Sequence, residues 1–441
     1  MECNTIMFKI RILYHYLVTR YFRRFKSRAE LQAFQERKIQ KHLRFVVKKS
    51  SFYKDWFGDL ELSEYRQLPF LDKKIMMENF SGLNTVGLDR EEAIMTATRA
   101  ETSRDFTPTL NGVTVGLSSG TSGSRGLFLV SDEERARHAG SILAKVLPGS
   151  ILDHYRVAFF MRANSNLYTA SQSKKLEFQF FDLLAAMDHH IARLVQWQPD
   201  LLFAPPSMLL KLAEAQISGK ISLKPQKIIS IAETLDPLDE RTIASAFGQK
   251  VHQVYQCTEG FLGISCAEGT LHLNEDLVQI EPFWLDDAKT KFMPIITDFS
   301  RTSQPMIRYR LNDILTVKKE ACPCGSPLMA LESIEGRADD VVYFAGNTPV
   351  FPDFIRRAVI LAHSGLKEYL VRQTELGTLD ISILSSESDR DEIQKSIIRE
   401  MDTLAETLGT EAPGLRFHTE FPALGSKKLK RVVQEVSLTQ R

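Results

Sequence analysis

The spacing of apolar positions changes several times along the chain, and those changes divide it. Residues 8–49 repeat apolar positions at helical spacing, and Ser27-Arg28-Ala29-Glu30 reads as a capping box opening a second helix before Leu31 and Phe34. Pro69 and Leu71-Asp72-Lys73 mark a turn into a further helix. Two short β-like runs, 113–117 and 127–130, flank a polar stretch, and Ser131-Asp132-Glu133-Glu134 opens a helix behind them. Residues 157–160 predict a buried strand. From Asp188 the pattern becomes regular: helix 190–197, strand 200–204, a helix capped at Ser207, strand 228–231, helix 238–247 and strand 251–255. Strand–helix repetition with short connections predicts a parallel sheet covered by helices.

From 271 to 317 β-like runs follow one another without helices. After Gly336-Arg337-Ala338-Asp339-Asp340 a small α+β unit is predicted, with strand 341–344, helix 352–362, strand 379–384, helix 390–408 and strand 415–418. The fold class is therefore α/β. A large N-terminal domain over 1–336 combines helix-covered, mostly parallel sheets with a β-rich subdomain, and a small α+β domain occupies 341–441. No internal repeat or low-complexity tract interrupts this order.

Composition adds limits. A length of 441 residues with 43% apolar content fits two or three globular domains. The formal charge of +1 hides an uneven distribution, because residues 1–50 carry thirteen Lys/Arg against three Glu. Within 8–26, basic residues alternate with aliphatic and aromatic ones, a pattern open to two readings. It is a helix packing on its own domain with a solvated face, or, as the minor alternative, a segment lying on an anionic membrane surface. No apolar run approaches the roughly 18–20 residues of a spanning helix, and no signal-peptide pattern appears. Five irregularly placed Cys argue against a disulfide framework and for a reducing, cytoplasmic setting.

The chemistry concentrates in a few segments. Ser118-Ser119-Gly120-Thr121-Ser122-Gly123-Ser124-Arg125-Gly126 sets three glycines at a spacing of three among hydroxyls. Its backbone N–H groups can cradle a polyphosphate, or the stretch can be a plain solvated hairpin tip. The Gly-Lys-Ser/Thr ending of the nucleotide-triphosphatase phosphate loop is absent. In a parallel sheet ligands gather at strand carboxyl ends, which places Ala232-Glu233, Tyr255 and Glu259 around one crevice. Tyr255-Gln256-Cys257-Thr258-Glu259 offers a ring to stack on a base, a hydroxyl for a phosphate and a carboxylate for Mg²⁺. Arg308-Tyr309-Arg310-Leu311-Asn312-Asp313 sets an acid, suited to ribose hydroxyls, beside two arginines. Taken singly, each of these is more often structural. Cys266 and His272, followed fifty positions later by Cys322 and Cys324, form four soft or borderline ligands in pairs, either a closed tetrahedral Zn²⁺ site or unligated buried side chains.

The ordered set of glycine–hydroxyl loop, Ala232-Glu233, Tyr255-x-x-Thr258-Glu259, Arg310-x-x-Asp313, Gly336-Arg337-x-Asp339-Asp340 and Lys427-Lys428-Leu429-Lys430-Arg431 resembles the adenylate-forming superfamily. The phenylacetate–CoA ligase branch, with its deazaflavin-adenylating relatives, is the most similar part of it, and the likeness runs from about Phe45 to Arg431. That resemblance implies ATP, Mg²⁺ and, as co-substrate, coenzyme A. Ser119, Gly120, Thr121, Ser122, Gly123, Arg125 and Gly126 would bind the ATP phosphates, and Ala232, Glu233 and Tyr255 would border adenine. Thr258 would meet the α-phosphate, Glu259 would hold Mg²⁺, and Asp313, supported by Arg337, would bind ribose. Residues 337–340 would connect the domains with Asp339 as hinge, and the small domain would move to deliver a catalytic lysine, Lys428. Lys427 stands where relatives carry Gly, so the two lysines can exchange roles. Related ligases also favour the zinc reading of Cys266, His272, Cys322 and Cys324, with Cys257 the nearest substitute.

The implied function is activation of an aryl or apolar carboxylic acid to an acyl-adenylate, with pyrophosphate released, followed by transfer to the thiol of coenzyme A. Carrier-protein phosphopantetheine, an amine, or a stop at the adenylate are alternatives. A zinc-stabilised binding protein without turnover is the competitor from another class. The acyl pocket is expected between residues 160–168 and 203–206, and no nucleic-acid partner is implied.

Overall fold

A computed structural model describes residues 2–103, 105, 109–118, 125–161, 174–183, 185–363, 365–418, 420–421 and 430–436. The chain divides into two compact units. One comprises Met1–Ala232, Thr242–Leu311 and Val317–Ser333, and the other Glu233–Arg241, Asn312–Thr316 and Ile334–Arg441.

The first unit opens with α1 (Glu2–Leu17), extended by a π turn over Val18–Phe22, and α2 (Arg28–Lys49). The Glu30 N–H donates to Ser27 Oγ at 3.2 Å, but the Glu30 carboxylate accepts from the Lys26 N–H, one residue earlier than a capping box would place it. Strands β1 (Val113–Leu117) and β2 (Leu127–Val130) pair antiparallel, with Gly116 opposite Phe128. A Cβ on Gly116 would lie 2.2 Å from the Phe128 ring, so the ring's position requires glycine. The helix α3 (Asp132–Val146) has a complete capping box at Ser131 and Glu134. Ile12 and Tyr16 of α1 pack on α3, and the Arg20 guanidinium donates to the carbonyls of Ala144, Leu147 and Gly149, satisfying acceptors at its carboxyl end.

The main sheet follows. β3 (Tyr155–Met161), β4 (Leu176–Asp182), α4 (Met187–Trp197), β5 (Leu201–Ala204), α5 (Pro206–Ile217), β6 (Lys227–Ser230) and β7 (Val251–Cys257) build it in the order β4-β3-β5-β6-β7, all parallel. All four residues of β5 are buried, because both faces are covered. The expected Ser207 cap is not used: Pro206 takes the first turn of α5 after Pro205, where its missing N–H costs nothing. β4, whose mixed Leu-Glu-Phe-Gln-Phe-Phe-Asp pattern gave no clear strand signal, completes the edge. Phe160 stacks on Phe181 with ring centroids 4.6 Å apart and is fully buried. It fills the core, not the acyl pocket expected to start there.

Beyond β7, β8 (Gly260–Ser265) and β9 (Leu271–Leu273) continue antiparallel. β10 (Gln279–Trp284), β11 (Lys291–Asp298) and β12 (Met306–Arg310) form an antiparallel meander, so the helix-free reading of this region holds. Strands β13 (Asp313–Val317) and β14 (Ala330–Arg337) follow, Leu331 of β14 pairing with Leu271.

The second unit contains α6 (Pro352–Ala362), β15 (Glu368–Glu375), β16 (Thr378–Leu384), α7 (Arg390–Leu408), β17 (Gly414–His418) and β18 (Val432–Gln434). Its sheet runs β17-β16-β15-β18, with an antiparallel centre and parallel outer pairs. Val371, Ile381, Ile393 and Ile397 are fully buried between sheet and helices. Segment 233–241 is tied to this unit: the Tyr369 hydroxyl donates to Asp236 at 2.6 Å, and the buried Arg431 guanidinium donates to Asp239 at 2.7 Å. Among the described residues no helix is long and apolar enough to cross a membrane.

Candidate active site and metal-binding cluster

β7 pairs with β8 through a bulge between Tyr255 and Gln256, and Thr258-Glu259 occupies the turn between the two strands. The bulge re-aims the strand end, a common device beside active sites. Tyr255 is buried. The Thr258 hydroxyl donates to one Glu259 oxygen at 2.8 Å, and the Tyr309 hydroxyl, from β12, donates to the other at 3.3 Å. Burial first, and the neighbouring Glu259 second, push the Tyr309 phenol well above its usual range, so it stays a donor.

Behind this turn lies a polar scaffold. The Arg301 guanidinium donates to the Thr258 carbonyl at 2.5 Å. The loop carrying Arg301 is held by Glu134, which accepts from the N–H groups of Thr302 and Ser303 and from the Ser303 hydroxyl. Burial works against the Glu134 anion, but the Ser131 N–H, the N–H and hydroxyl of Ser303 and the Arg301 charge outweigh it and lower its pKa. The first turn of α3 thereby fixes the backbone on which Thr258 and Glu259 sit. Arg301 and Glu134 were not legible as site residues. Tyr309 was inside a quoted motif yet had no assigned role.

The other expected nucleotide residues divide between the two units. Ala232 follows β6 with φ of +66°, a left-handed conformation unusual for a residue with a Cβ. Glu233 belongs to the second unit. Within that unit Arg337 Nε stands 3.9 Å from Asp313 Oδ1, and the Asn312 side-chain amide donates to Asp339 at 2.8 Å. Arg308 is not a ligand-facing cation: it is buried at φ +50°, pairs with Glu281 and donates to the carbonyls of Arg66 and Leu68.

The feet of the glycine loop are ordered by reciprocal bonds. The Ser118 N–H donates to the Gly126 carbonyl, and the Gly126 N–H donates to Ser118 Oγ, both at 2.8 Å. The Arg125 guanidinium pairs with Glu101 in a two-pronged contact and also donates to the Ser118 carbonyl. Ser119, Gly120, Thr121, Ser122 and Gly123 lie outside the described residues, as do Lys427, Lys428 and 162–173 of the expected acyl pocket. Two positions after Lys428, the Lys430 ammonium donates to both oxygens of Asp340 at 2.9 Å.

The four predicted metal ligands do come together. Ligand atoms of Cys266, His272, Cys322 and Cys324 all lie within 4.8 Å of one another, with Cys266 Sγ to Cys322 Sγ at 3.7 Å and Cys324 Sγ to His272 Nε2 at 3.4 Å. The Leu328 carbonyl, 3.0 Å from His272 Nδ1, can only accept, so Nδ1 carries the proton and Nε2 points its lone pair at the thiols. Gly325, at φ +70°, turns the Cys322-Pro323-Cys324 corner where a Cβ would be strained. Burial opposes ionisation of the Cys322 thiol, but bonds from Thr270, the Cys324 backbone, His272 and Cys324 bring it to about 6. Burial pushes Cys324 up to about 11. The donor set fits a closed tetrahedral metal. Cys257, the suggested substitute, stays outside the cluster, its thiol 3.8 Å from the Gly260 carbonyl.

No family model matches the sequence. The chain is 22% identical over 385 residues to the phenylacetate–coenzyme A ligase of Thermus thermophilus, covering 82% of each chain. In structure it is similar to 2-hydroxyisobutyryl-CoA ligase in a postadenylation state with its acyl-AMP, with a TM-score of 0.69, 18% identity and coverage of 92% of this chain and 90% of that one. It also resembles an anthranilate–CoA ligase bound to anthranoyl-AMP, with a TM-score of 0.51, 13% identity and coverage of 70% and 64%. The chain has the fold of the adenylate-forming CoA ligases, and its sequence likeness points to the phenylacetate–CoA ligase kind.

Proposed function

We propose that this protein is an AMP-forming acid–CoA ligase. A substrate carboxylate oxygen attacks the α-phosphorus of ATP, the bond to the β-phosphate breaks, and pyrophosphate leaves to give an acyl-adenylate. The thiol sulfur of coenzyme A then attacks the acyl carbon, AMP departs, and the thiol proton passes to solvent. The observation that carries the reading is the Thr258–Glu259–Tyr309 cluster at the carboxyl end of a parallel-sheet strand. Both Glu259 oxygens are met by neutral hydroxyls, which leaves the carboxylate's charge for the Mg²⁺ that accompanies ATP.

In this reading 119–126 bind the phosphates and Ala232, Glu233 and Tyr255 border adenine. Thr258 meets the α-phosphate, and Asp313 with Arg337 holds the ribose. Lys428 offsets charge on the α-phosphate and carboxylate during the first step. Asp339 is the hinge on which the C-terminal domain moves before thiolysis, and 337–340 is the connection. Cys266, His272, Cys322 and Cys324 would hold zinc in a structural role. The acid is an aryl or apolar one.

ATP–pyrophosphate exchange against aryl, fatty and amino acids tests the first step, and loss of free coenzyme A thiol tests the second. Exchange with none of them would favour a binding protein without turnover. Exchange without thiol loss would move the acceptor to a carrier phosphopantetheine or an amine, or end the reaction at the adenylate.

A further inference from the structure

The amino-terminal helix is apolar on two faces. Ile12 and Tyr16, with Phe8 half-buried, face α3. On the opposite side Ile6, Met7, Ile10, Leu13, Tyr14 and Leu17 are exposed, Ile6 at 59% and Tyr14 at 60%. At helical spacing those six fall in one sector of about 120°, with Lys9 on one border and Arg11 on the other. The apolar surface continues into the π turn, where Tyr21 is exposed and Phe22 is 79% exposed. A helix that merely covers its own domain carries polar residues on its outer face. This one does not.

Charge decides what covers it. From Cys3 to Ala29 the chain contains no Asp or Glu and seven Lys/Arg. Arg11 is engaged by Glu133, Arg20 by the carbonyls ending α3, and Arg28 by Glu275. Lys9, Arg24 and Lys26 are exposed beside the apolar surface. Burial first, and then the charges of Arg23, Lys41, Arg137 and Arg37, hold Lys38, on α2, below its usual range. A second copy of the same helix would set these cations against each other across the seam. Phosphate and carboxylate headgroups would take them instead, while the sector between Lys9 and Arg11 enters the headgroup–acyl boundary.

We propose that the outer face of α1 and the Tyr21-Phe22 turn form a docking surface for an anionic lipid bilayer, with the helix lying parallel to the membrane plane. This proposal does not depend on the ligase reading. Sedimentation of the full chain with sucrose-loaded vesicles tests it. Binding to phosphatidylcholine mixed with phosphatidylserine should be at least about tenfold tighter than to phosphatidylcholine alone, and should weaken with added salt. Leu13→Glu with Leu17→Glu should lower binding by about tenfold or more with the circular dichroism spectrum unchanged. Lys9→Glu with Arg24→Glu, which leaves the apolar sector intact, should do so too and keeps the test decisive if the first variant fails to fold. Absent binding, or equal binding to neutral and anionic vesicles, would overturn the proposal. So would a concentration-dependent dimer abolished by the Leu13/Leu17 variant, since that would give the face to a second copy.

Discussion

The Cys266–His272–Cys322–Cys324 cluster and the Glu259 turn are both donor sets assembled from separate strands and loops, but one is closed and the other open. In the cluster four ligand atoms converge within 4.8 Å, and the histidine's second nitrogen is already committed to a backbone carbonyl. At Glu259, among the described residues, one oxygen accepts from the Thr258 hydroxyl and the other from the Tyr309 hydroxyl, and neither neutral donor cancels the carboxylate's charge. A saturated set supports a structure, whereas an unsaturated anion at a strand end is suited to a ligand that comes and goes. Changes in the open site should therefore cost activity, and changes in the closed one should cost stability.

The largest effect is expected from the lysine proposed to offset charge on the α-phosphate. Lys428→Ala should lower ATP–pyrophosphate exchange by about 10³-fold while ATP binding, read by calorimetry, is retained. Lys427→Ala should stay within about tenfold, and the reverse result would exchange the two roles. Glu259→Gln should cost about 10²-fold in exchange and raise the Mg²⁺ concentration needed for half-maximal rate, because the amide keeps the shape but loses the charge.

The closed cluster should respond differently. Cys324→Ser should remove bound zinc, as read by elemental analysis, and lower the melting temperature by on the order of 10 °C, with exchange at low temperature within about threefold. Native protein purified without zinc in stoichiometric amount would refute that assignment.

Histidines sharpen the contrast. His42, buried, and His138, half-buried, lie outside the metal cluster, and desolvation lowers both to about 4. Since the unfolded state binds their protons near pH 6.5, stability should be complete above that pH and fall as pH drops from about 6.5 towards 4. Each contributes a slope of about 1.4 kcal/mol per pH unit within that window, measurable by urea unfolding. The smallest effect is expected at Tyr309→Phe, which removes one neutral donor from Glu259 and should slow exchange by roughly three- to tenfold.

Much of the fold could be read from period alone. β5, with four consecutive apolar residues before a helix, and α3, with Ser131 and Glu134 at capping distance, announce themselves because their signals are local. β4 and β18 do not, since a mixed edge strand and a three-residue strand acquire their identity from the neighbours they pair with. Phe160 looked like pocket lining because nothing local says that Phe181 will stack on it. Motif order alone proposed Tyr255, Thr258, Glu259 and Asp313 as nucleotide residues, and paired spacing proposed the four Cys and His side chains that the structure brings together. Arg301 and Glu134 were not, because their role is to hold backbone brought from far along the chain.

Local chemistry in the chain, taken alone, determined which residue types can bind phosphate, a divalent cation and a soft metal, and where helices and strands begin. Tertiary structure alone decided which of them meet: that Tyr309 completes Glu259, that Cys266 and Cys322 stand 3.7 Å apart across a gap of fifty-six residues, and that α1 keeps a second apolar face uncovered. The reason is physical. Propensity, capping and charge act over a few neighbouring residues, while convergence of donors and burial of a face depend on how distant segments pack, and periodicity carries no record of that.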